Sequence, residues 1–210
     1  MEKVITLDGS ITYYNTKVQD HYHTKAGAKE EAIEKHVKAL DVKPGKTIFD
    51  ICFGLGYSTA AALDLGQSTI YCFENDKEIL KKILEIDTDF ASYKTIQKFI
   101  KNFLEGKDTY TEGKTKLIMM FGDAREKIKE VKENADYVFF APFSPPKVPE
   151  MWTEEFFKDI RSKMNPNGKL STYSFAKKVR DNMKKAGFQV LNGPTLGRRS
   201  PSTIGINKPK

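Results

Sequence analysis

The stretch TIFDICFGLGYST, residues 47–59, decides the fold. It joins an apolar β-type run carrying an acid, Asp50, to the turn Gly54-Leu55-Gly56 and then to a helix start. Glycine suits such a turn because a side chain would keep the backbone away from a ligand, while the helix start behind it offers free N–H groups and a partial positive charge. Taken alone, G-x-G is a weak signature. The dinucleotide fingerprint wants a third glycine three positions on, where this chain has Thr59, and that disfavours NAD or FAD.

Downstream of this turn, strand and helix patterns alternate. TIFDI is followed by a helix through Ala60 to Leu65, then STIYCF, a helix from Asp76, KLIMMF, a helix from Ala124, YVFF, a helix from Thr153, KLSTY and a helix from Phe175. Apolar strands separated by helices predict an α/β fold with a doubly wound, mainly parallel sheet covered on both faces. Phe188 to Leu191 and Thr203 to Ile206 are two further strands, expected to pair as an antiparallel edge. Residues 85–112 make a long connection whose Phe90, Tyr93, Ile96, Phe99, Ile100, Phe103 and Leu104 recur at helical spacing, which predicts an inserted amphipathic helix. Upstream, Val4–Leu7 and Ile11–Tyr14 flank Asp8-Gly9, a hairpin signal, and Lys29–Leu40 has helical periodicity. Residues 1–45 thus form an entry hairpin and helix, and 210 residues in all predict one domain with these decorations.

The second strand ends in Glu74, twenty residues past Gly54, where a carboxylate can accept both hydroxyls of an adenosine ribose. Asp123, at the end of the third strand, lies where the adenine edge would be. Three strand-end acids and the glycine turn define one crevice at the carboxyl edge of the sheet. Helix capping is the competing role for each acid, and Asp123 before Ala124-Arg125-Glu126 is well placed for it.

The net charge is +7, unevenly spread. Residues 161–210 hold twelve Lys and Arg against one acid, Asp181, a local +11 that leaves −4 for the rest. One-sided charge of this kind is the footprint expected where a polyanion such as RNA docks; solvated helix faces are the alternative. Arg180, Arg198 and Arg199 are the candidate phosphate contacts. Cys52 and Cys72 fall in apolar runs and read as buried reduced thiols. None of His21, His23 and His36 stands at ligand spacing from them, so no metal is expected. The apolar runs are far shorter than a membrane span, and MEKVITLDGS lacks the pattern of a secretory leader, so a cytoplasmic location is expected.

With these parts in place, the chain resembles the methyltransferase domain of the MnmC family of tRNA wobble-uridine modification, and its relatives lacking the flavin oxidase half. The resemblance runs over DGSITYYN, YHTKAGAKEEA, DICFGLGYST, FEND, GDAR, FSPPKVPEMWTEEFF, STYSFAKKVRDNMKKAGFQV and GPTLGRR. It implies a Rossmann-like class I methyltransferase sheet, S-adenosylmethionine as cofactor, and tRNA as partner, with N-methylation of the aminomethyl group on a modified uridine. With no room for the oxidase half, only the methyl step is expected. By the same resemblance Gly54 and Gly56 hold the methionine end of the cofactor, Glu74 the ribose and Asp123 the adenine, while Tyr22, Gly27 and Glu31 complete the pocket. The family has D-A-F-x-P after the fourth strand, whereas this chain reads Ala141-Pro142-Phe143-Ser144-Pro145, with alanine in the acid's place. Amine methylation then draws on alignment by the backbone of Ala141 and Pro142, on Ser144, or on Tyr173 and Ser174, and Phe143 is positioned to stack on an extruded base. The competing readings are a methyltransferase or aminopropyltransferase acting on a small amine, and an RNA-binding relative with altered chemistry.

Overall fold

The computed structural model describes residues 1–195 and 200–209. Strands β1 (Glu2–Ile5), β2 (Ile11–Asn15) and β3 (Asp20–His21) form a three-stranded antiparallel ribbon. Two features differ from the hairpin expected at Asp8-Gly9. The first strand stops at Ile5, and Thr6 to Ser10 form a wider loop, because the Asp8 carboxylate accepts from Ser10 N and reaches the Glu30 N–H at the start of the next helix. The short β3 is an addition that its polar Asp-His sequence did not announce. The helix follows as α1 (Ala28–Glu30), continued by a π-helical segment, Glu31–Lys38, that buries Glu31, Lys35 and His36.

The main sheet is laid down next: β4 (Thr47–Ile51), α2 (Tyr57–Leu65), β5 (Thr69–Glu74), α3 (Lys77–Ile83), α4 (Tyr93–Leu104), β6 (Thr109–Glu112), β7 (Thr115–Phe121), α5 (Ala124–Glu130), β8 (Ala135–Phe140), α6 (Glu154–Ser162), β9 (Met164–Thr172), α7 (Lys177–Lys185), β10 (Gln189–Asn192) and β11 (Thr203–Ile206). The eight strands lie in the order β10-β11-β9-β8-β4-β5-β7-β6. The five central strands are parallel, with β6 antiparallel at one edge and, at the other, β11 antiparallel between β9 and β10. The predicted helical insertion is therefore a helix plus an edge strand. α4 buries Tyr93, Ile96, Phe99, Ile100 and Phe103 at 3–4 residue spacing, while the mostly exposed β6 has no apolar alternation to betray it.

Alternation along the strands feeds two cores. Ile48, Cys72, Leu117 and Phe139 pack on one face with Leu55, Ile96 and Phe99. Phe49, Ile51, Phe73 and Phe140 pack on the other with Ile128, Phe157 and Met183. The chain starts the sheet at β4, builds β5 and β7 to one side, and only then places β8 and β9 on the other. Strand order reverses between β4 and β8, and an open α/β sheet leaves its crevice outside the carboxyl ends at that point. Among the described residues no helix is long and apolar enough to cross a membrane.

Candidate functional site

A cavity of about 480 Å³ occupies that crevice, within the ~300–1,000 Å³ common for small-molecule sites. Its floor is the strand ends, at Asp50, Glu74, Gly122 and Ala141, and its roof is the entry ribbon, at Asp20 to Lys25. Of the residues singled out in the sequence, Tyr22, Glu31, Asp50, Gly54, Glu74 and Asp123 line it. So do Ala141, Pro142, Phe143, Ser144 and Tyr173 from the acceptor side.

Three do not. Gly27 lies under the loop at Asp8, where a Cβ would come within 2.3 Å of the Asp8 carboxylate, so the close approach of that loop requires its smallness. Gly56 turns the chain into α2 at φ +74, and a Cβ there would meet the Phe53 ring at 2.7 Å, so it shapes the turn from behind. Ser174 is buried beyond the cavity, its carbonyl accepting from Thr203 Oγ1 at 2.7 Å. Arg180 is engaged in the fold: its guanidinium donates to the Leu191 carbonyl at 3.3 Å and Thr203 Oγ1 at 3.0 Å and lies 4.6 Å from the Phe175 ring centre. Arg198 and Arg199 lie outside the described residues. Lys163 and Lys169 likewise donate to the Val131 and Leu40 carbonyls, so part of the basic surplus ties the tail to the domain. Cys52 lies past the end of β4 at φ +65, half-buried and lining the cavity; Cys72 is buried.

Each acid has a distinct environment. Glu74 is buried, and its carboxylate accepts from Gly54 N at 2.8 Å through Oε2, and from Asn75 N and Asp76 N at 2.8 and 2.9 Å through Oε1. A carboxylate offers about four acceptor positions, so one remains on the Oε2 side. Burial pushes its pKa up, against the pull of those three N–H groups. Asp123 caps α5 through Arg125 N at 2.9 Å and pairs with the Arg125 guanidinium, so the capping role and the cavity position hold together. Asp50 accepts from Thr59 Oγ1 at 2.7 Å, and burial raises its pKa to about 7.

That shift carries a stability consequence. An acid whose folded pKa lies above its unfolded value penalises the folded state at high pH, fully so above the folded pKa and not at all below the unfolded one. Asp50→Asn, which keeps an acceptor for Thr59, is expected to raise ligand-free stability at pH 8 by on the order of 2–4 kcal/mol, a gain that shrinks toward zero near pH 4. Denaturant melts at the two pH values check this; an equal effect at both would refute the assignment.

The ribbon sets the sequence-marked aromatic residues in place and adds one acid that the sequence did not mark, Asp20. Tyr22 lies edge-on to Phe143 with ring centres 4.9 Å apart, donates to Asp76 at 2.8 Å, and stands 3.5 Å from where a Gly54 Cβ would be. The ring thus bridges the glycine turn and the acceptor loop. Tyr173 donates to the Pro142 carbonyl at 2.9 Å, which fixes the loop from the other side. Asp20 accepts from Ser144 N at 2.9 Å. Behind them, Glu31 and Lys35 form a buried ion pair at 3.2 Å, and His36 Nδ1 shares a 2.7 Å hydrogen bond with Ser171 Oγ. His21, His23 and His36 all line the cavity.

Known proteins point the same way. The family model described as S-adenosyl-L-methionine-dependent methyltransferase matches residues 88–208, more than half of the chain. The crystal structure of MnmC2 from Aquifex aeolicus superposes with a TM-score of 0.81 at 30% identity, covering 97% of this chain and 69% of that one. An uncharacterized protein of Methanocaldococcus jannaschii is 28% identical over 98% of this chain and 59% of its own. The tRNA 5-methylaminomethyl-2-thiouridine biosynthesis bifunctional protein MnmC of Leptospira interrogans is 27% identical over 60% of this chain and 19% of its own. The chain therefore spans less than two thirds of the length of either of these two relatives.

Proposed function

Because the chain belongs to the S-adenosyl-L-methionine-dependent methyltransferase family, in its MnmC-like branch, we propose that it methylates the aminomethyl nitrogen of a modified wobble uridine in tRNA. The observation that carries the reading is the single cavity shared by the glycine turn, the Glu74 carboxylate and the loop Ala141–Ser144. S-adenosylmethionine bound there supplies an electrophilic sulfonium methyl.

The residues present suit that group. Glu74 keeps one acceptor position beside the Gly54 amide, suited to a ribose hydroxyl. Phe73, Ala124 and Met151 provide apolar wall, and Asp123 with Arg125 a polar rim for a purine edge. Asp50, Glu31 and Tyr22 form the end suited to the amino-acid portion. On the acceptor side, Tyr173 and Trp152 hold the loop by its carbonyls, so catalysis rests largely on alignment of a neutral amine. Exposed Lys25 at the cavity mouth and exposed Lys178, Lys184 and Lys185 on α7 support a phosphate-rich substrate.

The test is a transfer assay with methyl-labelled cofactor, offering tRNA from cells that lack this methylation and, separately, free polyamines. Label in tRNA and none in polyamines is expected. Label in polyamines alone would replace the proposal with small-amine methylation.

A further inference from the structure

Position 141 leaves the loop after β8 without a carboxylate, yet a carboxylate does touch this loop. Asp20 arrives on β3, pinned by pairing with β2 through Asn15↔Asp20 and Tyr14↔His21. Its Oδ2 accepts from Ser144 N at 2.9 Å and its Oδ1 from His21 N at 2.9 Å, and the residue lines the cavity. With the Ser144 side chain also drawn on by this carboxylate, one of its about four acceptor positions is still left. Two residues on, Tyr22 stands between the glycine turn and Phe143. The same ribbon segment therefore passes from the cofactor side of the cavity to the acceptor side.

We propose that Asp20 is the carboxylate that seats the acceptor amine, filling from the entry ribbon the place that alanine leaves open at position 141. This rests on the amine-methylation reading above. In that reaction the nitrogen lone pair forms the N–C bond as the C–S bond breaks and sulfur keeps its pair. Positive charge passes from sulfur to nitrogen, and the surplus proton of the secondary ammonium leaves to solvent. Asp20 accepts a hydrogen bond from the nitrogen, aims its lone pair and faces the charge as it appears there, an interaction stronger in the transition state than with the neutral amine.

The carboxylate is ionised for this task. Burial would raise its pKa, but the hydrogen bonds from Ser144 and His21 outweigh burial and hold it below the usual carboxylate range. His21 beside it is pulled down by burial and by Lys25, so a neutral imidazole does not cancel the charge. Elsewhere, Lys147 and Glu150 face this region from the loop and Arg125 from α5. Glu31, paired with Lys35, and His36 face it from the π-helical segment.

Asp20→Asn keeps an acceptor for Ser144 N and removes the charge. It is expected to lower kcat on the order of 100-fold while leaving the melting temperature and S-adenosylhomocysteine affinity close to wild type. A carboxylate also holds a nearby amine protonated, so the variant's acidic limb of kcat should move to lower pH by about one to three units. Ala141→Asp added to Asp20→Asn should restore at least about tenfold. A second readout needs no turnover: cofactor-free wild type should prefer aminomethyl-bearing over unmodified tRNA by about tenfold, and Asp20→Asn should bind both alike. Unchanged kcat, an unmoved pH limb, or loss of kcat in step with stability and cofactor affinity would make Asp20 a structural tether and overturn the proposal. Should wild type transfer no methyl to tRNA while the Asp20-dependent preference persists, the reaction falls and the amine seat stands.

Discussion

Glu31→Ala is expected to destabilise the protein by about 3–5 kcal/mol at pH 7, the usual cost of leaving one member of a buried ion pair without its partner. The Lys35 side chain is 3% exposed and the Glu31 side chain 9%, with their charged groups 3.2 Å apart. Glu31 also accepts from Thr24 N at 3.1 Å, so its loss orphans an amide as well. Burial alone would raise the Glu31 pKa, but Lys35 and the Thr24 amide outweigh it and hold it low. A depressed acid contributes stability above its unfolded pKa and loses it as pH falls through the folded one, so the full contribution is present at neutral pH. For a chain of this size the change corresponds to a fall in Tm of roughly 10 °C. Glu31→Leu with Lys35→Met should recover most of it, because a well-packed apolar pair avoids the desolvation of both charges. Calorimetric melts check both variants. A fall of about 1 °C in the single variant would mean that water reaches Lys35.

The histidines around this ion pair predict acid sensitivity. Burial lowers His23 and His36 to about 4, so both are neutral in the folded protein at pH 6 and take up protons on unfolding. The sign follows from linkage: stability declines as pH falls from about 6.5 toward 4.

Glu74→Gln is expected to weaken S-adenosylhomocysteine binding by at least about tenfold, about 1.4 kcal/mol. The carboxylate orders three backbone N–H groups at the start of the site, at Gly54, Asn75 and Asp76, and presents its remaining acceptor position to the cavity. Glutamine keeps one acceptor but turns an NH₂ group toward one set of donors, so the charge and part of the turn are lost together. Isothermal titration at a temperature where circular dichroism shows both proteins folded separates binding from stability. Equal affinity would remove Glu74 from the cofactor site.

What the sequence discloses is local. Ile48, Phe49 and Ile51 announce a strand, Gly54 and Gly56 a turn and Glu74 a strand end, because each signal lies within a few residues of its cause. The roof of the site is not local. Asp20 meets Ser144 across 124 positions and His36 meets Ser171 across 135, and no periodicity joins such pairs. The candidate residues that lie away from the cavity follow the same rule. Gly27 is small for the sake of Asp8, and Arg180 is engaged by Leu191 and Thr203, partners that only the folded chain brings near. β3 and β6 escape notice because pairing creates them from polar sequence.

The most direct measurement is a crystal structure with S-adenosylhomocysteine. The account predicts a ribose hydroxyl within ~3.2 Å of a Glu74 carboxylate oxygen and the sulfur turned toward the loop Ala141–Ser144. A product molecule bound elsewhere, or one whose sulfur faces away from that loop, would contradict it.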